Sequence, residues 1–169
     1  LRLIGLRGIS ALTMATLAAE VGVTVGALYK HFPSREPILV AVAALVAQLV
    51  ETTMPPADLP PLERLTALVA GRVALLASRP ELATILFSEQ VLLALPAEAV
   101  ATLQDLVVRT GGAIATALTE ARAAGIVRAD VPLPDLVAIT MGTIRHLTFL
   151  TASPLGGKMA GVTPVAGVW

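Results

Sequence analysis

Six side chains within eleven residues, Val25, Gly26, Tyr29, Lys30, His31 and Arg35, form the set in this chain best suited to recognising a partner. Val25 and Gly26 are small enough to approach base edges and thymine methyls in a DNA major groove, and Tyr29, Lys30 and His31 offer donors to phosphate oxygens. A helix starting after Thr24 turns Val25, Gly26, Tyr29 and Lys30 outward, while Leu28 and Phe32, four residues apart, share the opposite face. Arg35 falls in the first turn of a following helix that Ser34 can cap, where free amides and a cation both favour a phosphate. The chemistry implied is polyanion recognition.

Two neighbouring elements must hold that helix in place. Thr13 stands before Met14, Leu17, Ala18 and Val21, the i, i+3, i+4, i+7 spacing of one helical face, and its hydroxyl can cap the free amides. Gly22 ends this first helix, because glycine enters the left-handed region at almost no cost. Thr24 caps the second and Pro33 closes it. Thr13 and Thr24 are caps first, and phosphate contact by the same hydroxyls is compatible with capping. Two short helices joined by a tight turn are a helix-turn-helix, which predicts DNA binding with the N-terminal residues of the second helix at the bases. The plainer alternatives are a solvated helix face for Tyr29 and Lys30 and, for His31, a ring that caps its own helix C-terminus beside Phe32.

Leu12-Thr13-Met14, Ala18-Ala19-Glu20-Val21-Gly22-Val23, Val25-Gly26-Ala27-Leu28-Tyr29-Lys30-His31-Phe32 and Ser34-Arg35-Glu36 together resemble the TetR (TetR/AcrR-like) family of bacterial transcription regulators. The resemblance is specific over residues 8 to 45 and rests elsewhere on a run of helices of suitable number and length. It implies an all-α chain: a helix-turn-helix DNA-binding head at residues 1–37, then a helical-bundle ligand-binding and dimerisation body at 38–169. It further implies a cytoplasmic homodimer on palindromic double-stranded operator DNA, acting as a repressor released when a small-molecule effector enters a cavity in the body. Against the family pattern, Leu1 to Leu6 correspond to the close of a first helix whose start, with any basic arm, is absent. The tail from Ser153 to Trp169, with four glycines and two prolines, is hostile to a final dimer helix. Both departures are what a truncated or partly ordered version of a longer chain would show.

Composition sets the remaining bounds. The apolar fraction of 56% and a mean hydropathy of +0.82 exceed the roughly 45–50% apolar content usual for soluble domains. The longest uncharged stretch, Pro37 to Val50, has 14 residues, short of the roughly 18–20 of a spanning helix. The apolar surplus is therefore assigned to a subunit interface and an apolar cavity, with no membrane partner. No apolar core followed by a small-residue cleavage site follows the two N-terminal arginines, so no secretory signal is read. The absence of cysteine removes disulfide and thiol chemistry and agrees with a cytoplasmic setting. Net charge is zero, yet residues 1–37 hold four basic and two acidic side chains and the remainder eight and ten, so the head carries +2 and the rest −2. A head with so few cations needs dimerisation to reach useful affinity.

The body reads as helices over about 37–53, 62–78, 81–95, 97–124 and 134–152, punctuated by proline and glycine. The long fourth one carries a heptad-like stripe of Val100, Leu103, Val107, Ile114 and Leu118, with Gly111-Gly112 at its middle, where another backbone or a ligand could come close. The last is apolar on nearly every side, as a helix buried between two subunits would be. Phe87, Glu89, Gln90, Met141, Arg145, His146 and Phe149 are the candidate lining of an effector pocket, and the few polar groups among them favour a mainly apolar ligand. Equally, the polar members could face solvent or pair across a dimer, and the bulky ones could be core.

An enzyme finds little support. The two histidines lie 115 residues apart, and the chain has no cysteine, Gly-rich phosphate loop, His-Glu-x-x-His pair or nucleophile elbow. No metal ligand set and no cofactor is read. The competing reading is a helical dimer that serves as a protein-interaction module, its DNA head vestigial.

Overall fold

A computed structural model of the protein describes residues 1–152, and among them every regular element is helical. Six residues, Arg2–Arg7, form α1, and a 3-10 turn follows at Ile9–Ala11. Then come α2 (Met14–Val21), α3 (Val25–His31), α4 (Glu36–Glu51), α5 (Pro61–Ser78), α6 (Pro80–Phe87), α7 (Glu89–Leu93), α8 (Ala97–Ala123) and α9 (Leu133–Ala152). The expected helices agree with these bounds to within two residues, save one. The helix expected over 81–95 is broken at Ser88, whose extended backbone (φ −84°, ψ 116°) leaves its carbonyl to accept from Val91 N at 3.1 Å and Leu92 N at 3.0 Å. The tail from Ser153 lies outside the described residues.

Two compact units divide the chain, residues 1–49 with 79–106 and residues 50–78 with those from 107 onward. The division expected at residue 37 falls inside the first of them. There, α1 packs on α6 and α2 on α3. The α1 contact is close: a Cβ added at Gly5 would lie 2.6 Å from Glu81 Cβ and 3.0 Å from its Cα. Leu3, Ile4, Leu82 and Ile85 are buried on these two helices, each contributing roughly 1.5–3 kcal/mol of transfer free energy.

In the second unit α5 packs along α9. Leu65, Leu68, Ile114, Ala117, Leu118 and Ile144 make its core, with Met54, Leu62, Leu136 and Met141 packed around them. The buried line of α5 follows helical spacing through Leu65, Leu68, Arg72 and Leu76. Arg72 is thus a cation in a row of leucines. Its Nε donates to Thr53 Oγ1 at 2.8 Å, its Nη1 to Thr110 Oγ1 at 3.4 Å, and its Nη2 is buried without an acceptor. Burial lowers its pKa to about 10, partly opposed by the charge of Glu51.

The stripe expected on α8 is shifted. Leu103, Leu106, Thr110, Ile114 and Leu118 are buried, while Val107 is half exposed. Any Cβ at Gly111 or Gly112 would meet no atom of the chain within 4 Å. The last helix, α9, is not enclosed on every side, since Ile139 and Phe149 are 56% and 50% exposed. No single described helix is long and apolar enough to cross a membrane; α3 and α4 reach that length only as a pair bent by 71°.

Candidate nucleic-acid interface

The first helix of the head is fixed at both ends by its own sequence. Thr13 takes an extended backbone and accepts from Thr16 N at 3.1 Å, while its own N donates to Thr16 Oγ1 at 2.9 Å. This is a reciprocal capping box with threonine in the place usually held by Glu or Gln, and Thr16 Oγ1 also reaches the Ala11 carbonyl at 2.6 Å. At the other end Gly22 adopts φ 74°, ψ 29°, and Val23 N donates to Ala18 O at 2.9 Å, closing the helix as a left-handed cap. Thr24 follows at once, accepting from Ala27 N at 3.1 Å and opening α3.

With α2 and α3 so placed, Leu28 is buried at 7% exposure, and Phe32 at the end of α3 is half buried. The other side is open. Val25 is 39% and Tyr29 50% exposed, and Gly26, Lys30 and His31 are exposed beside them. Nothing lies within 4 Å of the position a Gly26 Cβ would take. Both threonine hydroxyls are on the exposed surface while capping. The outward set expected from the spacing is therefore gathered on one face, with small residues at the start of α3 and donors one turn later.

Arg35 stands apart from that set. Its Nη2 donates to the Ile9 carbonyl at 2.7 Å, and its Nε is buried without an acceptor. Through this bond Arg35 braces the 3-10 turn to the start of α4. Ser34 Oγ does accept from Glu36 N, at 3.3 Å. A second cation, Arg2, is engaged with Glu20, Nη2 to Oε1 at 2.6 Å and Nε to the same oxygen at 3.0 Å. This pair ties α1 to α2, a link that no local sequence pattern signals. Lys30, on the outward side of α3, has no ion-pair partner among the described residues.

The seven candidate effector residues divide between the two units. Phe87, Glu89 and Gln90 belong to the first unit and Met141, Arg145, His146 and Phe149 to the second. Glu89 and Gln90 are exposed on α7, and Gln90 borders an open cleft of about 600 Å³ between α1, the 3-10 turn, α6 and α7. Met141 packs against the core, while Arg145, His146 and Phe149 are exposed on the outer side of α9. A smaller cavity, about 270 Å³, lies in the second unit between α5 and α8, lined by other residues, among them Met54, Arg64, Leu65, Leu68, Ile114 and Ala117. Sequence reasoning did not single out Arg64. Its spacing from Leu65, Leu68 and Arg72 along α5 was the available signal. No group of three or more His, Asp or Glu side chains converges among the described residues.

Residues 1–42 match a family model described as bacterial regulatory proteins of the tetR family. A comparison with curated proteins finds no match. Among solved structures, the fold is similar to the ketosteroid transcriptional regulator KstR2 of Mycobacterium tuberculosis (20% identity, TM-score 0.73, 95% of this chain and 87% of that one). It is similar also to AibR in complex with isovaleryl coenzyme A and operator DNA (21%, 0.73, 95% and 91%). BioQ bound to its double-stranded DNA operator aligns at 25% identity with a TM-score of 0.52 (95% and 84%).

Proposed function

We propose that this chain, whose residues 1–42 match the tetR family model, is a DNA-binding transcription regulator that binds a palindromic operator as a homodimer in the cytoplasm. As a repressor, it leaves that operator when a small, mainly apolar ligand occupies its body. The observation that carries the reading is the face of α3, where Val25, Gly26, Tyr29, Lys30 and His31 are all exposed while Leu28 anchors the helix from behind. Small residues at the helix N-terminus suit base edges, and the donors one turn later suit phosphates. The AibR and BioQ structures hold operator DNA, and that of AibR holds isovaleryl coenzyme A as well.

A second copy of the chain is the partner that the second unit suits. Along α9 the residues Asp135, Ile139, Gly142, His146 and Phe149 are exposed at alternating spacings of four and three, the repeat of a helix seam. Val107 and Val108 on α8 are 51% and 70% exposed. In a two-fold dimer the recognition helices lie roughly 34–36 Å apart, one turn of duplex.

The test is selection of binding sites from random duplex, followed by binding of the recovered site to Tyr29→Ala. A palindromic motif is expected. Loss of one neutral hydrogen bond per subunit, about 0.5–1.5 kcal/mol each, should weaken binding by about tenfold with helical content and mass unchanged. Recovery of no enriched sequence, or equal affinity of the variant, overturns the reading.

A further inference from the structure

We infer that the cavity between α5 and α8 receives a small aliphatic carboxylate whose head group takes over Arg64 from Glu120. This deepens the ligand-responsive reading above and rests on it. The walls are apolar, with Met54, Leu65, Leu68, Ile114 and Ala117 among them, and Arg64 is the single charged residue in the lining. The Arg64 side chain is only 13% exposed, its Nη2 donates to Glu120 Oε2, and its Nε is buried with no acceptor. Its guanidinium is therefore the one charged group beside an apolar chamber.

That arrangement selects among guests. A purely apolar molecule would leave the guanidinium paired with Glu120 and gain nothing from it, and a cation would meet a like charge. A carboxylate can accept two parallel N–H bonds from one guanidinium, the strongest geometry open to it. Glu120, at 48% side-chain exposure, is placed to turn back to water when displaced. The next cation along α5, Arg72, is engaged with Thr53 and Thr110 and does not line the cavity, so the head-group end is the Arg64 end. Size is set by volume: a cavity of about 150 Å³ admits benzene, so the 270 Å³ found here suits a guest of about 11 non-hydrogen atoms, an acid of medium chain length.

The test is calorimetric titration of the full chain, without DNA, using octanoate and octan-1-ol as probes. Octanoate is expected to bind at one per chain and at least tenfold tighter than octan-1-ol. Arg64→Gln should remove that preference by weakening octanoate alone. Glu120→Gln should tighten octanoate several-fold, because the internal competitor is gone, and this variant keeps the test intact if Arg64→Gln fails to fold. Equal affinity for acid and alcohol, no binding of either, an unchanged preference in Arg64→Gln, or weaker octanoate binding in Glu120→Gln would each overturn the inference. Octanoate binding that leaves operator affinity unaltered would uphold the site and overturn the ligand-release reading instead.

Discussion

Replacing Lys30 by alanine should change how operator binding responds to salt more than it changes the fold. Of the four cations in residues 1–37, Arg35 is committed to the Ile9 carbonyl and Arg2 to Glu20. Lys30 is on the outward side of α3 and Arg7 closes α1. Each phosphate neutralised contributes about −0.9 to the slope of log affinity against log salt. A dimer using Lys30 alone would show a slope of about −1.8, and one recruiting Arg2 and Arg7 as well about −5.4. Lys30→Ala should lower the slope by about 1.8, so the advantage of the unaltered protein shrinks about 12-fold as salt rises from about 50 to about 200 mM. Fluorescence anisotropy of labelled operator measures both slopes directly. Parallel lines for protein and variant would refute the placement of Lys30 at phosphate. A slope steeper than about −8 for the unaltered protein would refute the accounting of head cations.

Two further outcomes follow from the packing. Gly5→Ala puts a methyl 2.6 Å from Glu81 Cβ; forcing α1 off α6 should cost about 1–3 kcal/mol and lower Tm by roughly 2–4 °C for each kcal/mol, followed by circular dichroism, and an unchanged Tm would show that the contact yields freely. Val108→Asp, on a side chain 70% exposed in the single chain, should leave Tm nearly unchanged while light scattering shows the mass of one chain and operator affinity collapses. A variant that remains dimeric would place the subunit interface elsewhere.

The head was legible because its boundaries are local. Thr13, Gly22 and Thr24 each act on backbone groups within a few residues, so their types and spacing state the turn and both helix starts. The break at Ser88 was not legible, since no glycine or proline marks it and the extended backbone there is set by what α6 and α7 pack on. The brace made by Arg35 was hidden for a related reason: a first-turn cation can serve a ligand or a neighbouring carbonyl, and the approach of Ile9, 26 residues earlier, is not written near it. The effector residues were legible only in part. Helical spacing tells which residues share a face of α9, but not that Met141 turns to the core while Arg145, His146 and Phe149 turn away. The chamber beside Arg64 exists only because α5 and α8 meet, and neither helix announces it alone.

Arg72 has a consequence for the lifetime of the protein. A buried donor without an acceptor costs roughly 1–3 kcal/mol, a large share of the roughly 5–15 kcal/mol that holds an ordinary domain together. Such a deficit raises the share of unfolded chains about 5- to 150-fold over that of a chain with every buried donor met, and proteolysis proceeds from that share.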